Sequence, residues 1–260
     1  MDWLTNMPGN GKIIGPKNIS LSNGGLWTPN ESLFRVKQKK WPLDIVQNNL
    51  VLNYNLTNLE CYPGTGTTIY DLSNSKLNAT GSSSLTGQTI QNGQTYSTGT
   101  TGILNLDTHS IFFSVQINNT SGAWDKFFSY NSGGIDRSPG VWRYPGERKI
   151  HWRYDPNNSD SDFSSTGTSG YSATGAEFSV NTWYYVGVTK NGGTTIPYVN
   201  GTALGTRTGI SNPKTAGTAA IILYEYYAGA SKMRHVHIYN RVLTAEEVAL
   251  NYKVILAELN

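Results

Sequence analysis

From Leu50 onward the chain breaks into short apolar or alternating runs, separated by stretches of glycine, asparagine, serine and threonine. The runs fall at 50–54, 110–117, 126–130, 141–144, 149–154, 183–189, 195–199, 219–224 and 234–239. Each has strand length, and no helical period lies between them, which predicts an antiparallel all-β sandwich or jelly roll. Val186 and Val188 alternate with Tyr185, Gly187 and Thr189, the pattern of a strand that buries one face. Pro145-Gly146 predicts a turn joining 141–144 to 149–154. Asn200-Gly201 predicts a two-residue hairpin, whose central residues both take positive φ.

One helix is predicted, at the end. Thr244-Ala245-Glu246-Glu247 reads as a capping box, in which the Thr hydroxyl and a Glu carboxylate satisfy free amides of the first turn. Ala245, Val248, Tyr252, Ile255 and Leu259 then recur at spacings of three and four, an apolar stripe that closes over the sandwich edge.

Residues 1–47 hold neither period. They are punctuated by Pro8-Gly9, Gly15-Pro16, Gly24-Gly25 and Thr28-Pro29, yet carry Trp3, Leu4, Ile13, Ile14, Trp27, Phe34 and Trp41. Such a segment cannot fold alone, so these side chains read as anchors docking on another surface. The chain therefore divides into an extended anchoring arm, 1–47, and a sandwich, 48–260.

Charge sharpens that division. Through Val46, Lys12, Lys17, Arg35, Lys37, Lys39 and Lys40 face only Asp2, Glu31 and Asp44. This segment carries the whole formal charge of +3 and leaves 14 basic and 14 acidic residues beyond it. A neutral body argues against nucleic-acid binding, which needs concentrated positive charge. Lys37, Lys39 and Lys40 join the arm's partner-binding set, suited to an acidic surface. Only 14% of residues are charged, against roughly 25% in an average domain, while 12% are aromatic, which excludes disorder. No apolar run approaches the ~18 residues of a membrane span, so no membrane insertion is expected. Met1-Asp2-Trp3 opens no secretory signal. Cys61, the single cysteine, excludes an internal disulfide framework and reads as a small buried hydrophobe.

Several segments resemble a known family. Trp183-Tyr184-Tyr185-Val186-Gly187-Val188-Thr189, followed by Tyr198-Val199-Asn200-Gly201-Thr202, is similar to the strand-and-hairpin block of laminin-G-like domains in the concanavalin A-like lectin/glucanase superfamily. His237-Ile238-Tyr239-Asn240-Arg241-Val242-Leu243-Thr244-Ala245-Glu246-Glu247-Val248 resembles its closing strand and helix. Leu50-Val51-Leu52-Asn53-Tyr54, Tyr62-Pro63-Gly64-Thr65-Gly66-Thr67 and Asp71-Leu72-Ser73 look like the opening of versions found in phage and other viral structural proteins. The resemblance spans about 48–256 and implies a jelly-roll sandwich of two antiparallel sheets; fold alone does not settle function.

The superfamily's glucanases use two carboxylates in an E-x-D-x-E-like strand, and no such run occurs here. The four histidines accompany no G-x-S-x-G elbow, so no catalytic residue is nominated. His235 and His237 read as ordinary strand residues, or as a metal pair sharing a strand face if a third ligand joins them. Trp142-Arg143-Tyr144 and Trp152-Arg153-Tyr154 repeat one triplet across a turn; alternation is expected to put four aromatics on one face and two arginines on the other. Aromatic faces stack on sugar rings and amides hydrogen-bond them, so Trp142, Tyr144, Trp152 and Tyr154, with Asn157 in the next loop, form a candidate glycan platform. Tyr224, Tyr226 and Tyr227 form a weaker second one. The resemblance also implies calcium in some relatives, and Asp155, Asn157, Asp160 and Asp162 offer hard oxygen ligands in one loop, without the glycine and distal Glu of an EF-hand.

The sequence reading is a non-enzymatic virion structural protein of capsid-decoration or head-fibre type, made in the host cytoplasm. Its arm binds capsid or tail proteins of the same virion, it forms a homo-oligomer, and its sandwich meets a host-surface glycan. Alternatives are a free carbohydrate-binding module, a tail fibre or tail-associated adhesin and, remotely, a glucanase.

Overall fold

The computed structural model describes residues 13–14, 26–27, 44–91, 93–105, 107–118, 125–131, 139–143, 145–154, 162–163, 177–210, 219–225 and 231–259. In the arm, β1 (Ile13–Ile14) pairs antiparallel with β2 (Leu26–Trp27). Trp3, Leu4, Phe34, Lys37, Lys39, Lys40 and Trp41 lie outside the described residues.

The body is a jelly-roll-like sandwich of two antiparallel sheets, as the alternation predicts. One sheet has eight strands in the order β12 (Asp162–Phe163), β11 (Ile150–Arg153), β10 (Gly140–Arg143), β9 (Asp125–Asn131), β16 (Ala219–Glu225), β7 (Tyr96–Thr101), β5 (Ala79–Gly81) and β4 (Thr68–Ile69). The other has seven: β15 (Thr202–Ala203), β14 (Thr194–Val199), β13 (Trp183–Asn191), β8 (Thr108–Gln116), β17 (Lys232–Tyr239) and β3 (Leu50–Asn55), with β6 (Ile90–Gln91) also on β17. The inner faces meet in one apolar core that includes Ile111, Phe113, Val186, Val188, Phe127, Val141, Trp152 and Ile238. Cys61 is sealed within it.

The outer face of the seven-stranded sheet is also buried. Phe112, Tyr185, Tyr198 and Tyr239 point away from the core and pack with Leu243, Val248 and Ile255 of the closing segment and helix α1 (Ala245–Leu259). The helix thus lies on a sheet face rather than closing an edge. The capping box forms: Thr244 N–H donates to Glu247 Oε2 (2.9 Å), and Glu247 N–H to the Thr244 hydroxyl (3.3 Å). Glu247 also takes the Arg241 guanidinium in a bidentate pair at 2.7 and 2.6 Å. Asn200 and Gly201 have φ of 50° and 78° and join β14 to β15, the hairpin read from the sequence. Pro145-Gly146 sits in the turn between β10 and β11. The body begins slightly before residue 48, because Ile45 is buried on α1's side of the sheet and Val46 N–H donates to Asn251 Oδ1 at 2.8 Å.

The opening motif is structural. Asp71, almost wholly buried, accepts the Asn53 and Ser73 amides on Oδ1, and the Ser73 hydroxyl and Leu77 amide on Oδ2. Its carboxylate is therefore the knot tying β3 to the following turn.

The repeated triplets depart from expectation. The β10–β11 register pairs Val141 with Trp152 and Trp142 with His151, so the two tryptophans lie on opposite faces. Trp152 and Tyr154 belong to the inner core, and Trp142 is buried on the outer side. None of the three offers an open stacking face, and Tyr144 lies outside the described residues. Arg143 points inward, fully buried, with Nε 2.8 Å from Asp125 Oδ2 on the neighbouring strand. Arg143 is thus half of an interior ion pair.

Candidate functional site

Across the seven-stranded sheet the registers align four side chains in one row. Trp183 on β13 pairs with Gln116 on β8, Gln116 with Lys232 on β17, and Lys232 with Gln91 on β6. Directly paired residues share a face. Between Met233 and Val236 the β17–β8 register shifts, so Arg234 and His235 together oppose Ser114. Such a bulge re-aims side chains. Here the Arg234 guanidinium lies over the Trp183 ring, 4.6 Å from its centroid.

Two adjoining hollows open over this row. One, of about 730 Å³, is lined among the described residues by Ser83, Ser84, Thr86, Gln91, Gln94, Asn118, Ser231 and Lys232. The second, of about 310 Å³, is lined by Thr86, Gly87, Thr89, Gln91, Gln116, Trp183, Lys232 and Arg234. The shared residues Thr86, Gln91 and Lys232 make one polar groove of a size suited to a short oligosaccharide. Its loop wall is pinned from within: the Gln91 amide donates to Gln94 Oε1 (3.0 Å), and the Thr89 hydroxyl to the Thr86 carbonyl (2.9 Å). Asn118 Nδ2 donates to Gln116 Oε1 at 3.1 Å. At the floor, Ser231 Oγ lies 3.4 Å from Asp125 Oδ2, which links the groove to the buried Asp125–Arg143 pair.

Behind the row, under the end of α1, runs a sealed hydrogen-bond chain. The Ser114 hydroxyl lies 2.8 Å from His235 Nδ1, and His235 Nε2 lies 3.0 Å from Glu258 Oε2. Glu258 Oε2 also accepts Asn55 Nδ2 (2.7 Å) and the Thr57 hydroxyl (3.2 Å). Burial lowers the His235 pKa against the raising effect of Glu258. The neutral ring then donates from Nε2 to Glu258 and accepts the Ser114 proton at Nδ1. Burial raises the Glu258 pKa, but the hydrogen bonds from His235, Asn55 and Thr57 outweigh it and hold the carboxyl below its usual value. A Ser–His–Glu order resembles a hydrolase relay, yet Ser114 and His235 are both fully buried, and the serine also accepts the His235 amide at 3.0 Å. No substrate carbonyl reaches that serine without dismantling the helix contact, so the chain works as a clasp between α1 and the sheet.

His235 and His237 do share a strand face, with ring centroids 6.2 Å apart. Both His235 nitrogens are engaged, and His237 Nδ1 is 2.9 Å from the Tyr185 hydroxyl. Among the described residues no group of three or more His, Cys, Asp or Glu side chains is placed to hold a metal ion. Asp155, Asn157 and Asp160 lie outside the described residues, as do Tyr226 and Tyr227, while Asp162 opens β12 opposite Arg153. No helix among the described residues is long and apolar enough to cross a membrane.

The sequence reading does not contain the groove, because its residues come from four separated segments. The signal available was the polar end of each run: Gln116, Trp183 and Lys232 all sit where an apolar strand meets a loop.

The family model described as the concanavalin A-like lectin/glucanases superfamily, Laminin_G_3, matches residues 81–249. The opening segment that resembles viral versions precedes that match. No protein of curated function matches the sequence. Among solved structures, the botulinum neurotoxin serotype D binding domain is 15% identical with a TM-score of 0.56, over 80% of this chain and 52% of that one. The botulinum neurotoxin type G receptor binding domain is 18% identical with a TM-score of 0.52, over 80% and 52%. Trypanosoma rangeli sialidase is 12% identical with a TM-score of 0.59, over 88% and 39%. This chain thus spans about half the length of the toxin domains and well under half of the sialidase.

Proposed function

The chain belongs to the concanavalin A-like lectin/glucanases superfamily, and on that premise we propose that it is a non-enzymatic, glycan-binding structural component of a virion. The groove over Trp183, Gln116, Lys232 and Gln91 carries the binding half of this reading: a concave site where amide and indole groups from the strands converge with the hydroxyls of Thr86 and Thr89. It replaces the Trp142–Tyr154 platform as the glycan site. The receptor-binding and sialidase neighbours share the fold, which supports a recognition role without supplying the ligand. The arm supports the assembly half. Its three tryptophans and concentrated positive charge suit an acidic, partly apolar partner on a capsid or tail, and copies of the chain would display their grooves outward.

The test has two arms. Trp183→Ala and Gln116→Ala are expected to lower retention of the full chain on a panel of immobilised oligosaccharides at least tenfold. Equal retention removes the groove from the reading. A chain truncated before Asp44, which keeps Ile45 and Val46, is expected to fold and bind sugars but no longer co-sediment with particles. Unchanged co-sedimentation or oligomeric state would favour a free carbohydrate-binding module, the second reading, whose support is that every described lining residue of the groove falls between 83 and 234.

A further inference from the structure

We infer that the groove selects anionic sugars, carrying a carboxylate or a sulfate, and does so with side-chain cations rather than a bound metal ion. This rests on the groove being the glycan site and adds the class of ligand.

Both charged residues lining it among the described residues, Lys232 and Arg234, are positive. The remaining described lining residues are neutral hydroxyl, amide, indole and glycine groups, so among the described residues a ligand oxyanion meets no lining carboxylate. The acids that the structure ties to this end of the sheet among the described residues are already engaged: Asp125 Oδ2, against Ser231 at the floor, pairs with the buried Arg143, and Glu258 Oε2 is committed to His235, Asn55 and Thr57. Arg234 is not neutralised by a paired carboxylate: its Nη1 reaches only the Glu258 backbone carbonyl, at 3.5 Å, and its Nε finds no hydrogen-bond partner. Stacking on Trp183 holds the guanidinium plane in one orientation, so little side-chain freedom remains to be lost when an oxyanion arrives. Lys232, one strand position from the core residue Met233, projects beside Gln116 and Gln91 into both hollows. A charge-assisted contact from either cation is stronger than the neutral hydrogen bonds the rest of the wall can offer. A neutral sugar would leave Lys232 and Arg234 without a partner oxyanion inside a partly closed site.

The experiment is calorimetric titration of the full chain with three probes: 3′-sialyllactose, a heparin-derived hexasaccharide, and lactose. Each is run with and without EDTA and at low and high salt. One or both anionic probes are expected to bind at least tenfold more tightly than lactose, to weaken with salt and to ignore EDTA. The two anionic arms separate carboxylate from sulfate recognition. Lys232→Gln, at a partly exposed position, is expected to lower anionic affinity about tenfold without shifting the melting temperature. Arg234→Lys, which keeps charge but loses the stacked plane, is expected to weaken the same probe. Lactose binding as tightly as both acids, indifference to Lys232→Gln, or abolition by EDTA overturns the inference while leaving a sugar-binding groove in place. Binding of none of the probes overturns the inference together with the glycan-binding reading beneath it.

Discussion

At the scale of single residues, fit decides more than polarity. Gly187 sits in the middle of β13 because an added Cβ would fall 2.0 Å from the Phe112 ring and 2.5 Å from the Ile111 carbonyl oxygen. Gly187→Ala should therefore destabilise the fold by about 1–3 kcal/mol, read as a lowered melting temperature. The histidines set the response to acid. Burial pushes His109 down to about 4, opposed by the Asn105 carbonyl, and likewise lowers His235 and His237. The unfolded chain takes up these protons near pH 6.5 and the folded chain does not. Stability is thus complete above about 6.5 and is lost as pH falls towards 4, at up to about 1.4 kcal/mol per unit for His109 alone. Glu258, held low, adds loss of the same sign once its own folded pKa is approached from above. Denaturant midpoints measured from pH 7.5 to 4.5 should fall, and His109→Gln should flatten the curve; a level profile would contradict the buried neutral rings.

At the scale of elements, α1 is held at three points: the capping box at its start, Val248 and Ile255 along its buried stripe, and the Glu258–His235 contact at its end. Thr244→Ala should cost about 1 kcal/mol through the lost cap, measurable by chemical denaturation. The pair between β9 and β10 behaves differently. Asp125→Ala leaves Arg143 charged in the interior and should cost about 3–5 kcal/mol, whereas replacing both residues with leucine should cost far less. The helix, the Asn200-Gly201 hairpin and the strand pattern were legible because each is written within a dozen neighbouring residues. The aromatic platform was misread because alternation fixes faces within a strand but not between strands. A single residue in hairpin register reverses every side chain of the second strand, and Trp142 faces His151 rather than Trp152.

At the scale of the whole molecule, the sandwich was legible and the groove was not, for the same reason. Sheet order β13-β8-β17-β6 is a product of long-range pairing, and it alone brings residues 183, 116, 232 and 91 abreast. No local window contains that juxtaposition. The arm presents the converse: its composition, with Trp3, Trp27, Trp41 and an excess of basic residues, is conspicuous in the sequence, while the role proposed for it is a matter for the truncation experiment.

The lone thiol has a practical consequence. Cys61 is packed out of solvent, and burial raises its pKa to about 12, so neither steric access nor ionisation favours alkylation in the folded chain. No other sulfhydryl competes for reagent. Mass-shift kinetics with iodoacetamide would therefore time the opening events that expose this part of the interior, giving a stopwatch for conformational breathing that requires no engineered label.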